Sequence, residues 1–119
     1  MKIIKNFEGD PRSSKTISGE NSLNHLLTPQ QVGGISLSIV RFEKGSLTHW
    51  HEHPGEQVLY ILEGKGRVGN ETEEWIVEPG DVVYTGPGER HWHGAVSDET
   101  MVHLSITNIG SPIWFDEVK

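Results

Sequence analysis

The chain has 119 residues, a formal net charge of −7, 14 glycines, 6 prolines, four tryptophans and no cysteine. That length suits one domain whose core buries roughly 65% of the surface an unfolded chain exposes. Without cysteine there is no disulfide framework and no thiolate ligand, and the acidic balance disfavours phosphate backbones and anionic lipid, both of which call for clustered Lys and Arg.

No stretch approaches the ~20 apolar residues of a membrane span, and residues 1–8 lack the apolar run and cleavage site of a signal peptide, so a cytoplasmic location is expected. Residues 10–34, rich in Ser, Gly, Asn and Gln, carry little pattern. They belong to an N-terminal arm of about 1–34 in which only 21–27 reads as an added strand. From about 35 to 108, alternating runs cut by turn residues predict strands at 35–39, 48–53, 57–62, 75–78, 82–85, 90–95 and 101–108. Gly/Pro clusters predict turns at 63–66, 69–70, 78–81 and 86–89. The expectation is a single domain over 1–119, all-β, with its motif-bearing barrel at about 35–108.

Chemistry concentrates in the histidines. His49, His51 and His53 stand at alternate positions, as do His91 and His93. Alternate residues of a strand share a face, so each group can converge on one point. Imidazole is the commonest ligand of divalent transition metals, and burying several unpaired imidazoles without a partner is costly. Trp50 and Trp92 alternate with these histidines and are expected to point outward. Their cover would come from the N-terminal strand, from the segment 113–115 or from a second subunit.

These segments resemble the cupin superfamily. Gly45, five residues, His51, one residue, His53, three residues, Gln57, six residues and Gly64 reproduce every spacing of its first motif, G-x5-H-x-H-x3,4-E-x6-G, with Gln in place of Glu. Gly80, Gly88 and His91 fall at the glycine and histidine positions of the second motif, G-x5-P-x-G-x2-H-x3-N, where Gly86 replaces the proline and Ala95 the asparagine. Within that superfamily the runs Trp50 to Gln57 and Pro87 to Ala95, followed by His103 on the next strand, are similar to small manganese-dependent hydroxynitrile lyases.

The resemblance implies a small antiparallel β-barrel of the double-stranded β-helix, jelly-roll-like kind, with His51, His53, Gln57 and His91 as metal ligands. Glu56 is the rival oxygen donor. A carboxylate binds a divalent cation better than a carboxamide, but only Gln57 keeps the spacing to Gly64 and the strand phase of Leu59 and Ile61. The implied metal is Mn(II) or Fe(II), with Ni, Zn or Cu acquired in recombinant material. His103 and His93 are the expected acid/base groups, and a homodimer is expected. The expected function is a metal-dependent enzyme acting on a small polar molecule, by lyase or isomerase chemistry or as an O2-dependent dioxygenase. The alternative is a metal- or ligand-binding module without turnover.

Overall fold

Short alternating runs separated by Gly and Pro give twelve strands and no helix among the described residues. The computed structural model describes residues 1–5 and 11–119; residues 6–10 of the expected N-terminal arm lie outside the described residues. In chain order the strands are β1 (Ile17–Ser18), β2 (Asn21–Leu27), β3 (Ser36–Phe42), β4 (Leu47–Thr48), β5 (His51–Glu52), β6 (Gln57–Gly64), β7 (Gly66–Asn70), β8 (Glu74–Val77), β9 (Val82–Thr85), β10 (His91–Ala95), β11 (Met101–Thr107) and β12 (Ile113–Trp114).

Two antiparallel sheets curl into a barrel-like all-β fold. One runs β2-β3-β11-β6-β9; the other runs β1-β4-β10-β5-β12, with β7 joining β10 to β8. Inward side chains of both sheets meet between them. Val40, Phe42, Ile61, Val68, Val77, Ala95 and Met101 form the apolar core together with Ile17 from the N-terminal arm. Chain passage between the sheets occurs at Gly64, whose φ of 78° lies in the left-handed region. A Cβ there would collide with the Thr100 carbonyl, so only glycine fits.

Three local expectations fail for non-local reasons. The strand predicted at 48–53 is two strands. Leu47 pairs with Gly94 and His51 with His91, so the chain takes four residue steps on one side against three on the other. The extra residue is a bulge at His49–Trp50, and it shifts the alternation by one. His49 therefore leaves the face of His51. Residues 69–70, predicted as a turn, instead end a real strand, β7, which pairs along its whole length with β10, whereas the turn predicted at 63–66 does redirect the chain at Gly64. The tight turn comes later, where Asn70 Oδ1 accepts the backbone N–H groups of Thr72 and Glu73. Finally, Trp92 is covered by its own chain. It is 4% exposed, packs edge-on against Trp50 at 6.5 Å and lies under the Arg67 guanidinium.

Candidate metal centre

Five imidazoles meet inside the barrel. His51 comes from β5, His53 from the loop after it, His91 and His93 from β10, and His103 from β11; all are buried. They line a cavity of about 310 Å³ with Gln57, Thr48, Phe42, Ser105 and Trp114, except for His91, which together with His93 lines a smaller one of about 70 Å³. Among the described residues the larger cavity has no Asp, Glu, Lys or Arg in its walls.

Backbone carbonyls orient two of the rings. His51 Nδ1 donates to His49 O and His91 Nδ1 to Glu89 O, each at 2.8 Å. With the proton held on Nδ1, each neutral ring turns a bare Nε2 lone pair inward, the tautomer a metal requires. Burial keeps the rings neutral. Desolvation, then the neighbouring His91, lowers the His51 pKa from 6.5 to about 2, and desolvation, then His91, lowers that of His53 to about 4. His91 is also lowered, chiefly by desolvation.

Gln57 supplies an oxygen. Its phase on β6 points it inward with Leu59 and Ile61, and all three are buried. Glu56 points outward, where its Oε2 accepts the Tyr84 hydroxyl at 2.6 Å. The Gln57 amide donates its Nε2–H to Ser105 Oγ at 2.9 Å, so Oε1 faces the histidines and lies 2.9 Å from His91 Nε2. Two acceptors thus confront each other. With both groups in these orientations, a cation held between them would satisfy both lone pairs. The separation fits: two ligands at right angles around an ion at about 2.1 Å lie about 3 Å apart. Both ring nitrogens of buried His53 also lack a partner, as does His93 Nε2. The donor set of nitrogen and oxygen atoms therefore suits a divalent transition metal.

The ring nitrogens of His51, His91 and His93 all approach within 4.8 Å of one another. His53 adjoins this group, its ring centroid 5.1 Å from that of His51 and 5.4 Å from that of His91. His93 differs from the others in bonding a second imidazole: its Nδ1 lies 3.1 Å from His103 Nε2. His103 is fully buried, with a pKa lowered to about 4 by desolvation, and His93 is held well below its ordinary value, by desolvation and then by His103. Both rings pack on Phe42.

Two histidines stand apart from the cavity's centre. His49 is half-buried beside Glu117 and contributes its carbonyl rather than its ring. His25 is exposed, its Nδ1 3.0 Å from Ser38 Oγ. Sequence reasoning missed Trp114. Its ring lies on that of His51, with centroids 4.4 Å apart and planes at 35°. The only available signal was the aromatic pair at 114–115 after a Pro, with nothing to say which strand it joins.

Residues 38–107 match the Cupin domain family. The chain is 47% identical over 81 residues to an (R)-mandelonitrile lyase of Granulicella tundricola, a match covering 66% of this chain and 58% of that enzyme. It is 32% identical over 76 residues to an oxalate-binding protein of Thermotoga maritima, covering 61% of this chain and 63% of that one. Among solved structures, a cupin-like protein of Thermotoga maritima superposes with a TM-score of 0.87 at 36% identity, covering 97% of this chain and 91% of that chain.

Proposed function

The chain belongs to the cupin family, and from that premise we propose that it is a metal-dependent enzyme cleaving or forming a small cyanohydrin or a related hydroxy or carbonyl compound. The observation that carries the reading is the confrontation of His91 Nε2 with Gln57 Oε1 at 2.9 Å, each oriented from behind by a second hydrogen bond. The likeness to a mandelonitrile lyase supports the reaction class.

His51, His53, Gln57 and His91 would hold the metal, Mn(II) or Fe(II). Bound there without a charged ligand, it would act as a Lewis acid that polarises a carbonyl or hydroxyl oxygen. The chain's own part is proton handling and exclusion of water. His93 and His103 form a hydrogen-bonded pair whose outer nitrogens, His93 Nε2 and His103 Nδ1, have no other partner. Burial keeps that pair neutral at pH 7, so one outer nitrogen is bare to accept a hydrogen bond from the substrate hydroxyl and to take its proton in the transition state, while the 3.1 Å bond links the two rings. Phe42 behind the pair keeps bulk water from competing for it.

The proposal includes a homodimer. Tyr60, Leu62, Val82, Tyr84 and Ile106 stand exposed on the outer face of the β2-β3-β11-β6-β9 sheet, with Tyr60 opposite both Val82 and Leu104. These exposed apolar side chains are what supports a second copy covering this face.

The test is cleavage of mandelonitrile by protein loaded with Mn(II) or Fe(II), followed by small hydroxy and keto acids with and without O2. His103→Ala should keep metal and lose turnover about 10²- to 10⁴-fold. Full activity in that variant removes His103 from the reaction. A second reading, a ligand-binding module without turnover, is favoured by the likeness to an oxalate-binding protein. It predicts tight small-anion binding and no product in any metal-loaded assay.

A further inference from the structure

We infer that Trp114 determines which substrate the cavity accepts: an aryl group carrying no second charge stacks on its indole while the oxygen or nitrogen donor beside that group reaches the histidine cluster. The inference deepens the proposed function and rests on that cluster being the reacting centre.

Trp114 comes from β12, a strand of two residues whose position is enforced from several sides. Trp114 pairs with His51 and Ile113 with Glu52. Beyond it, Phe115 N donates to Trp50 O at 2.8 Å, Trp50 N donates to Asp116 O at 2.9 Å, and the Arg90 guanidinium sits 3.6 Å over the Phe115 ring. On the other side, Ile109 is held at a φ of 71°, a conformation that a β-branched residue rarely adopts. The C-terminal strap therefore follows this course because surrounding contacts impose it.

Its placement creates a recognition surface. The indole lies on the His51 ring yet remains 39% exposed while lining the cavity. Phe42, the other large aromatic in the wall, is fully buried against His93 and His103 and has no surface to offer. A cavity of about 310 Å³ stands at the lower end of ligand-pocket sizes, enough for one ring and its substituent. Covering the indole with a flat apolar group is favourable both by area and by stacking. The walls also disfavour a further class: a second carboxylate would find hydroxyls but no Lys or Arg among the described lining residues to pair with it.

The test uses full-length protein loaded with Mn(II) and three probes, benzoate, isobutyrate and isophthalate, with affinities measured by calorimetry. Wild type should prefer benzoate to both others. Trp114→Leu should weaken benzoate about 3- to 10-fold and leave isobutyrate within about twofold, while Trp114→Phe should retain most of the preference. Equal weakening of benzoate and isobutyrate, or none for either, overturns the inference. Metal content is measured first. If Trp114→Leu alone loses metal, Trp114→Phe carries the comparison and must still lose some affinity for benzoate but not for isobutyrate. If both variants lose metal, the indole serves His51 and not the substrate. Probe binding needs no turnover, so a protein inactive on every cyanohydrin that still shows the Trp114-dependent preference loses the proposed reaction but keeps this inference.

Discussion

Two groups of imidazoles meet in one buried cluster and are held in different ways. His51 and His91 each fix a tautomer through a backbone carbonyl and aim a bare nitrogen inward, where Gln57 Oε1 and the unpartnered His53 ring join them. His93 and His103 spend a nitrogen each on one another and rest on Phe42. The first arrangement gathers lone pairs that a cation would satisfy; the second links two bases through one shared proton. Burial depresses pKa values in both groups. What separates them is the identity of the hydrogen-bond partner behind each ring.

The largest expected effect tests that division directly. His51→Ala or His91→Ala should abolish stoichiometric metal, whereas His93→Ala and His103→Ala should retain it, as read by elemental analysis of the purified proteins. Loss of metal in His93→Ala with retention in His53→Ala would redraw the boundary around His51, His91 and His93, whose ring nitrogens also lie within 4.8 Å of one another.

Acid should act on both groups at once in the metal-free protein. These histidines are neutral when folded, with pKa values below 6.5, so the unfolded chain binds more protons once the pH falls through about 6.5. Stability should therefore decline from that point, with His53 and His103 contributing down to about pH 4 and His51 down to about pH 2. Each of His53 and His103 alone is worth on the order of 3 kcal/mol by pH 4, so the metal-free fold should give way before His51 has titrated. Bound metal requires neutral imidazoles, so thermal midpoints with and without chelator should differ at pH 7.5 and converge near pH 5. Equal midpoints at pH 7.5 would uncouple metal from folding.

A smaller effect sharpens the first group. Gln57→Ala should weaken metal affinity strongly, and Ser105→Ala, which frees the amide to turn, by about 10- to 100-fold. Glu56→Ala should change it little, since that carboxylate faces Tyr84 on the outside. The reverse ranking in a metal titration would mean that the strand phase of β6 has been misassigned.

Much of this centre was legible in the sequence because alternation is a local property. The pair His91/His93 and the inward phase of Gln57 with Leu59 and Ile61 follow from period-two geometry, while His53, spaced in the same way from His51, reaches the cluster from the loop just beyond β5. What escaped depends on partners distant in the chain. His49 shares the same spacing, but a bulge opposite β10 removes it from the face. Gly69 reads as turn chemistry, yet it is a strand residue that must be glycine because a Cβ would meet the Trp92 ring at 2.5 Å. The place of Trp114 over His51 follows from the pairing of β12 with β5, two strands more than 60 positions apart that no local pattern joins.

The most direct test of the central claim is X-ray absorption spectroscopy of the protein loaded with Mn(II) at pH 7.5, compared with Gln57→Ala. The account predicts three imidazoles and an amide oxygen at about 2.1–2.2 Å, with loss of one protein oxygen and retention of all three imidazoles in the variant. A spectrum with fewer than three imidazoles, or one identical in the two proteins, would contradict it.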